Sequence, residues 1–196
     1  MNALPARPLA LHLHPASAWF PACGVEVSLA LAGSPQGPGL LLDYRLTGGE
    51  QALVELSIPL PAGAGPADGL WRATCFELFV TTEGDTAYRE LNFSPSGQWA
   101  CYAFDRERER AADPLPVPTA PVVDWRAREA AGLQAWVPAA LLPPQRPWRV
   151  GLSAVLVHRD GRLAYLALHH PKATPDFHDR RGWTLCPDLP LFPAFS

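Results

Sequence analysis

The sequence lacks several features that mark particular classes of protein. It has 16 basic and 19 acidic residues, a net charge of −3, and no basic stripe of the kind that nucleic-acid-binding proteins show. No run of about 18 apolar residues occurs, so no membrane span is predicted. Met1 is the only methionine, which excludes an axial methionine ligand to haem. We therefore expect neither nucleic acid nor a membrane as a partner.

Cysteine and lysine are also scarce. The four cysteines form no CxxC pair, and a chain of 196 residues can bury enough apolar surface to fold without disulfides. Prolines, His12 and His14 interrupt the first residues, which do not resemble the basic segment and apolar run of a signal peptide. These features predict a reduced, cytoplasmic protein. Lys172 is the only lysine, and the excess of Arg, Ala and Pro indicates a GC-rich bacterial genome.

Short runs of alternating apolar and polar residues, bounded by Gly, Pro or Asp, dominate what is present. Such runs predict β-strands joined by turns, and the 23 prolines argue against long helices because an interior proline costs about 3 kcal/mol. Gly48 and Gly49 predict a hairpin turn, and Pro138 begins a predicted single helical turn at 138–142. The predicted strands cover residues 9–13, 25–31, 40–46, 52–58, 74–81, 88–94, 98–104, 122–128, 133–137, 149–158 and 162–168.

The number and spacing of these strands predict the fold class. About ten short strands, with no repeat of fixed period and no linker, indicate one domain over residues 1–196. The predicted fold is all-β, an antiparallel β-sandwich of the jelly-roll or immunoglobulin-like kind, and a barrel is the alternative.

Two predicted hairpins place an unusual set of side chains on one face. A tight turn at residues 83–84 pairs Glu77 with Glu90, and a turn at residue 96 pairs Glu90 with Tyr102 and Asn92 with Ala100. The opposite face carries the apolar residues of an ordinary core: Phe76, Leu78, Val80, Leu91, Phe93, Trp99 and Cys101. The unusual face interleaves aromatic rings with two carboxylates and an amide: Cys75, Glu77, Phe79, Tyr88, Glu90, Asn92, Tyr102 and Phe104.

This combination of side chains suits a sugar ligand. Aromatic rings stack on the C–H face of a pyranose, while carboxylate and amide groups bind its hydroxyls. The alternative is an amphipathic outer face, covered in part by the charged and proline-rich segment 106–121.

The segment 169–179 concentrates three histidines and two aspartates. Their spacing matches no standard zinc pattern, so we predict no metal site and favour a hydrogen-bonded loop. One hypothesis is that His178 reaches back to a carboxylate such as Glu90. Haem held by His12 or His14 together with this segment is a further alternative.

Two catalytic arrangements are alternatives to simple binding. Glu77 and Glu90 resemble the carboxylate pair of a glycosidase, and Cys75 with His178 would form a thiol–imidazole pair. A buried strand cysteine is usually inert, and no substrate cleft is evident from the sequence. We therefore predict no catalytic residue and no cofactor. A partner-binding surface formed by the aromatic face is a third possibility.

Two motifs resemble a known family. LWxxTCFELF at 70–79 and YxExNFSPSGxW at 88–99 resemble the DOMON-like group, in particular a bacterial stand-alone branch related to family 9 carbohydrate-binding modules. His170-Pro171 and the PDFH sequence at 175–178 resemble the same branch. The resemblance implies a jelly-roll-like sandwich whose concave sheet binds sugar or, in some DOMON relatives, haem.

The resemblance also implies roles for individual residues. Trp71 would be a sugar platform, and Glu77, six positions later, would accept hydrogen bonds from hydroxyls. Trp183 is the nearest candidate for the second clamping tryptophan of the family 9 modules. We predict a non-catalytic domain that binds a carbohydrate or a similar small polar ligand. The predicted ligand-binding residues are Trp71, Glu77, Glu90, Asn92, Tyr102, His170, His178 and Trp183.

Overall fold

The computed structural model describes residues 8–20, 23–127 and 131–186. These residues form thirteen strands: β1 Leu9–Leu13, β2 Gly24–Ser34, β3 Gly37–Thr47, β4 Gly65–Pro66, β5 Cys75–Thr82, β6 Tyr88–Phe93, β7 Gln98–Arg106, β8 Glu109–Arg110, β9 Val122–Arg126, β10 Gly132–Pro138, β11 Trp148–Val157, β12 Leu163–Ala167 and β13 Thr184–Cys186. One α-helix, α1, spans Gly49–Val54, and short 3-10 turns lie at Pro15–Ser17, Leu70–Arg72, Ala139–Leu141 and Arg180–Gly182. No described helix is long and apolar enough to cross a bilayer.

The strands form one curled sheet. Its order is β4-β7-β6-β5-β11-β12-β1-β2-β3-β10-β9, with β13 beside β11 and β8 beside β7. The pairing is antiparallel except between β4 and β7, which makes the sheet mixed. Strand β1 pairs with β12 through its last residues and with β2 through its first ones. It therefore joins the half of the sheet that runs from β4 to β12 to the half that runs from β2 to β9. The predicted all-β class is therefore confirmed. The predicted closed sandwich of two separate antiparallel sheets is not, because the strands form one continuous sheet.

The two halves of the sheet pack against each other across one core. The ring of Tyr44 on β3 lies 5.1 Å from that of Phe76 on β5, and its hydroxyl donates a hydrogen bond of 2.8 Å to the backbone oxygen of Glu77. The ring centre of Trp125 on β9 lies 6.3 Å from that of the same phenylalanine. The apolar face predicted for β5 to β7 lies in this core: Phe76, Leu78, Val80, Leu91, Phe93 and Trp99 are buried, and Cys101 packs against them.

The predicted strand at 52–58 is wrong. Gly48 and Gly49 have positive φ angles of 114° and 78°, and the chain continues as helix α1 instead of returning along β3. Glutamate, glutamine, alanine and leucine at positions 50–53 are good helix formers, and this preference outweighs the weak alternation of the segment. Only Leu56 forms an isolated bridge, with His158. Residue 128 of the strand predicted at 122–128 lies outside the described residues.

The predicted register of the first hairpin is wrong by two residues, and that of the second is confirmed. Glu77 lies opposite Asn92, and Glu90 lies opposite Phe79, because the loop at 83–87 is wider than a tight turn. In the second hairpin Glu90 pairs with Tyr102, as predicted. A shift of two residues leaves each side chain on its predicted face, since sheet side chains alternate with period two.

Candidate functional site

A cavity of about 590 Å³ opens on the face of β5, β6, β11 and β12 that points away from the core. Side chains of these strands and of β7 form its floor: Glu77, Phe79, Glu90, Phe104, Val155, Leu163 and Tyr165. Three segments outside the main strands form its walls and contribute Trp71, Arg72, Arg108, Arg110, Pro175, Asp176, Phe177 and His178. The cavity therefore combines aromatic, carboxylate and guanidinium groups.

Four of the eight predicted ligand-binding residues line this cavity: Trp71, Glu77, Glu90 and His178. The segment 106–121 covers the face only through Arg108 and Arg110 at its start, and the loop at 175–178 covers it from another side. The face is thus partly covered and partly open. Of the other four, Asn92 is buried in strand β6 beside Glu90, and Tyr102, His170 and Trp183 lie behind the walls or beside them.

Glu77 and Glu90 are buried carboxylates held by polar neighbours. Ser153, directly opposite on β11, donates a hydrogen bond of 2.9 Å to Oε2 of Glu77. Asn92 donates one of 2.8 Å to Oε1 of Glu90, and its own Oδ1 has no partner among the described residues. Their exposed fractions are 3% and 6%. Such burial makes the charged form of a carboxylate unfavourable.

Both carboxyl groups have raised pKa values. Burial, and then the charge of Glu90, raise the pKa of Glu77 to about 8. Burial also raises the pKa of Glu90, although the hydrogen bond from Asn92 and the charges of Arg110 and Arg108 oppose this. Near neutral pH the floor of the cavity therefore holds at least one protonated carboxyl, which can donate as well as accept a hydrogen bond.

His178 is fixed to strand β6 by two side chains of that strand. Its Nδ1 lies 2.7 Å from the hydroxyl of Tyr88, which also accepts a hydrogen bond of 3.1 Å from the backbone N–H of Arg108. Its Nε2 lies 3.7 Å from Oε2 of Glu90. Burial, and then the charge of Arg108, lower the pKa of His178 to about 4. The imidazole is neutral near pH 7, and the Tyr88 contact favours the tautomer with its hydrogen on Nε2, facing Glu90.

Trp71 stands at the wall and Tyr102 lies behind it. The two rings meet edge to face at 6.1 Å, and the Tyr102 hydroxyl donates a hydrogen bond to Asp68. This hydrogen bond is the main reason that the pKa of Asp68 is lowered. Tyr102 does not line the cavity; it packs against the Trp71 ring from behind and supports it.

Trp183 and His170 also lie outside the cavity. Trp183 is buried, with its ring 5.7 Å from Phe79, and its Nε1 donates a hydrogen bond of 2.9 Å to the backbone oxygen of Phe177. It therefore holds the wall residue Phe177 and does not itself face the cavity. The Nε2 of His170 lies 2.7 Å from the backbone oxygen of His12, a contact that joins the loop to β1.

The structure does not bring Cys75 and His178 into hydrogen-bond contact. The thiol is fully buried and is directed at the backbone oxygen of Phe76, at 3.7 Å. Burial, and then the charge of Glu77, raise its pKa well above the ordinary value, which is the opposite of what a nucleophile requires. In residues 8–20, 23–127 and 131–186, no three His, Cys, Asp or Glu side chains are arranged to hold a metal ion.

Several cavity residues were not predicted from the sequence: Arg72, Arg108, Arg110, Tyr165, Asp176 and Phe177. Tyr165 had a usable signal, since it alternates with the buried Ala164 and Leu166 and so must lie on the outer face. Arg108 and Arg110 had none, because the charged run that contains them is typical of an ordinary surface loop.

No protein-family model and no curated protein matches the sequence significantly. A solved structure from Bacteroides uniformis, provisionally named a carbohydrate-binding protein, matches with a TM-score of 0.63 and 13% identity, over 91% of this chain and 84% of that one. A family 9 carbohydrate-binding module from Caldicellulosiruptor kristjanssonii, solved with cellotriose, matches with a TM-score of 0.47 and 7% identity, over 83% of this chain and 72% of that one. The similarity to the Bacteroides uniformis protein shows a shared fold.

Proposed function

We propose that the protein is a non-catalytic binding domain that takes a sugar, or a similar small polyhydroxylated ligand, into the cavity on the outer face of the sheet. The observation that carries this proposal is the lining of that cavity. Its volume of about 590 Å³ falls in the range of small-molecule sites, about 300–1,000 Å³. Its aromatic walls and carboxylate floor match the two surfaces of a pyranose.

The chemistry of the lining assigns complementary roles to the residues. Trp71 offers a half-exposed ring that can cover the C–H face of a sugar, and Phe177 and Tyr165 supply further aromatic surface. Glu77 and Glu90 are rigid, since each already holds one polar neighbour, and they have oxygens left to bind hydroxyls. Such preorganisation reduces the entropy lost on binding.

The family relation belongs to the same proposal. The motifs at 70–79 and 88–99 that resemble DOMON-like proteins and family 9 modules contain Trp71, Glu77 and Glu90, three of the cavity residues. The Bacteroides uniformis protein that shares the fold carries a name for carbohydrate binding. Both observations agree with a sugar ligand on a jelly-roll-like scaffold.

The test compares two tryptophan variants against a panel of mono- and oligosaccharides. A sugar at 100 times its Kd stabilises the native state by about 2.7 kcal/mol, which raises Tm by a few degrees in a domain of this size. We expect this shift for the wild type and its loss in Trp71→Ala. Trp19→Ala is the matched control, because Trp19 is also half-exposed and stacked with an arginine, but lies outside the cavity. If no sugar shifts Tm, the proposal fails.

A second candidate function is glycoside hydrolysis. The specific observation in its favour is the raised pKa of Glu77, about 8, beside a second carboxyl in the same cavity. A protonated Glu77 would act as general acid and Glu90 as the second carboxylate. Glu77→Gln separates the two functions, since the amide keeps much of the hydrogen bonding and cannot transfer a proton. Sugar release by the wild type, lost in Glu77→Gln while binding persists, would favour the enzyme.

A further inference from the structure

The cavity wall carries three arginines that a neutral sugar does not require. Arg72, Arg108 and Arg110 all line it. Arg108 is already paired: it donates a hydrogen bond of 2.7 Å to Asp176, which also binds Lys172. Among the described residues, neither Arg72 nor Arg110 forms an ion pair or a side-chain hydrogen bond. Two guanidinium groups therefore face the cavity with their donors unoccupied by the described part of the chain.

Aromatic rings hold both of these guanidinium groups in place. The Cζ of Arg110 lies 4.0 Å from the ring centre of Tyr102, and the Cζ of Arg72 lies 5.4 Å from that of Trp71. These two rings contact each other edge to face, so the two arginines are carried by one aromatic unit. A cation stacked on a ring keeps its in-plane N–H donors free for another partner.

The neighbouring carboxylates offset the charge of this pair only in part. Asp68 lies near both arginines and is anionic, but within the described residues it forms no ion pair with either of them, and its oxygen accepts the hydrogen bond of Tyr102. Glu90 lies near Arg110 and is bound by Asn92, and burial favours its neutral form. The positive charge is at the wall, and the groups that prefer to be neutral are at the floor.

We infer that the ligand of the cavity is an acidic sugar, whose anionic group is bound by Arg72 and Arg110 while its ring lies against Trp71. This inference rests on the proposed sugar-binding function and narrows it. A guanidinium group matches the two oxygens of a carboxylate or of a phosphate, so both hexuronates and hexose phosphates carry the required chemistry. The floor carboxyls bind hydroxyls of the same ring.

Calorimetric titration with matched sugars tests this inference. Glucose, galactose and mannose are each compared with their own hexuronate and 6-phosphate, which differ from them only at C6. We expect an acidic sugar to bind at least about tenfold more tightly than its neutral parent, since hydrogen bonds between two charged groups are stronger than those between neutral ones. The preference should weaken at high salt. A preference for the hexuronate or for the phosphate identifies the anionic group.

Arginine variants locate the effect. Arg72→Gln and Arg110→Gln, alone and combined, should reduce the preference for the acidic sugar, measured in each variant as the ratio of its affinity to that of the neutral parent, by about tenfold in the double variant. Both side chains are exposed, so the variants should keep the wild-type Tm. Arg162→Gln is the control: Arg162 stacks on Trp19 at 3.8 Å, away from the cavity.

Failure of the inference is distinguishable from failure of the proposed function. If neutral and acidic sugars bind equally, or if the preference survives in the double variant, the assignment to Arg72 and Arg110 is overturned and sugar binding stands. If none of the nine sugars binds to the wild type but an oligosaccharide raises its Tm, the inference is overturned and the proposed function stands; if no sugar of either set binds, both are contradicted. Binding of acidic sugars that is lost in Trp71→Ala supports both.

Discussion

The imidazole Nε2 of His178 lies 3.7 Å from Oε2 of Glu90, at the meeting point of the loop at 175–178 and strand β6. The same imidazole bonds through Nδ1 to Tyr88. One side chain thereby connects a wall of the cavity to its floor at two points. The position of that wall, and with it the width of the cavity, depends on buried polar contacts and not on regular secondary structure.

The Tyr88 hydroxyl is predicted to hold this wall. Tyr88→Phe removes both the contact to His178 and the acceptor of the Arg108 backbone N–H, leaving partly buried polar groups without a partner. We expect a loss of about 1–3 kcal/mol in the free energy of unfolding, measured by urea denaturation, together with weaker sugar binding. Tyr165→Phe is the control, since the Tyr165 hydroxyl has no hydrogen bond within the described residues. Equal effects of the two substitutions would contradict the prediction.

The buried Glu77 is predicted to make stability fall as pH rises. Its pKa is about 8 in the native state, against 4.5 for the free side chain. Between these values the native state retains a proton that the unfolded state has lost, so the free energy of unfolding decreases with pH. The slope is at most about 1.4 kcal/mol per pH unit for one group. Glu77→Gln should reduce this slope strongly, as measured by denaturation at a series of pH values.

His178 has the opposite dependence, which defines the pH range for that measurement. Its pKa is lowered from 6.5 to about 4, so its contribution is complete above 6.5 and is lost as pH falls towards 4. The two effects oppose each other between 4.5 and 6.5, and Glu77 acts without His178 between 6.5 and 8. An unchanged slope in Glu77→Gln between pH 6.5 and 8 would refute the assignment.

The floor of the cavity was predictable from the sequence because alternation survives an error in register. Glu77 pairs with Asn92 and not with Glu90, yet all three side chains lie on the predicted face. The walls were not predictable in this way. Phe177 and Asp176 belong to a loop without periodicity, and that loop is positioned by long-range contacts, such as the 3.2 Å contact between His14 Nε2 and the backbone oxygen of Lys172.

Helix α1 lies where the alternation of the sequence predicts a strand. Gly48 and Gly49 predict a hairpin turn, but Gly48 caps helix α1 and Gly49 is its first residue. Positive φ angles at a glycine pair do not by themselves specify whether a strand or a helix follows. The following residues have helical preference and weak alternation. In the sequence, only the helix-forming residue types at 50–53 indicate the helix.

Cys75 is predicted to be chemically inert in the native protein. The thiol is fully buried, and its pKa is raised by burial and by the charge of Glu77. Iodoacetamide should therefore leave Cys75 unmodified under native conditions and modify it in denaturant, as followed by mass spectrometry of peptides. Cys75→Ala should retain sugar binding. Rapid native labelling of this thiol would revive the thiol–imidazole mechanism.

Gly151 is predicted to be essential for the position of Trp183. A Cβ at residue 151 would lie 2.5 Å from Cδ1 and from Nε1 of the indole, closer than real contacts allow. Gly151→Ala must therefore displace the ring that donates to the backbone oxygen of Phe177. We expect a loss of about 1–3 kcal/mol in stability, typical of overpacking, and weaker sugar binding because Phe177 lines the cavity.

A double-mutant cycle separates this displacement from a general effect of the added methyl group. In a Trp183→Leu background the smaller side chain leaves room for the methyl group, so Gly151→Ala should cost much less than it does in the wild type. Additive costs would mean that the indole is not what the glycine accommodates. A large coupling energy would instead show that the contact between Gly151 on β11 and the indole of Trp183 sets the position of the cavity wall.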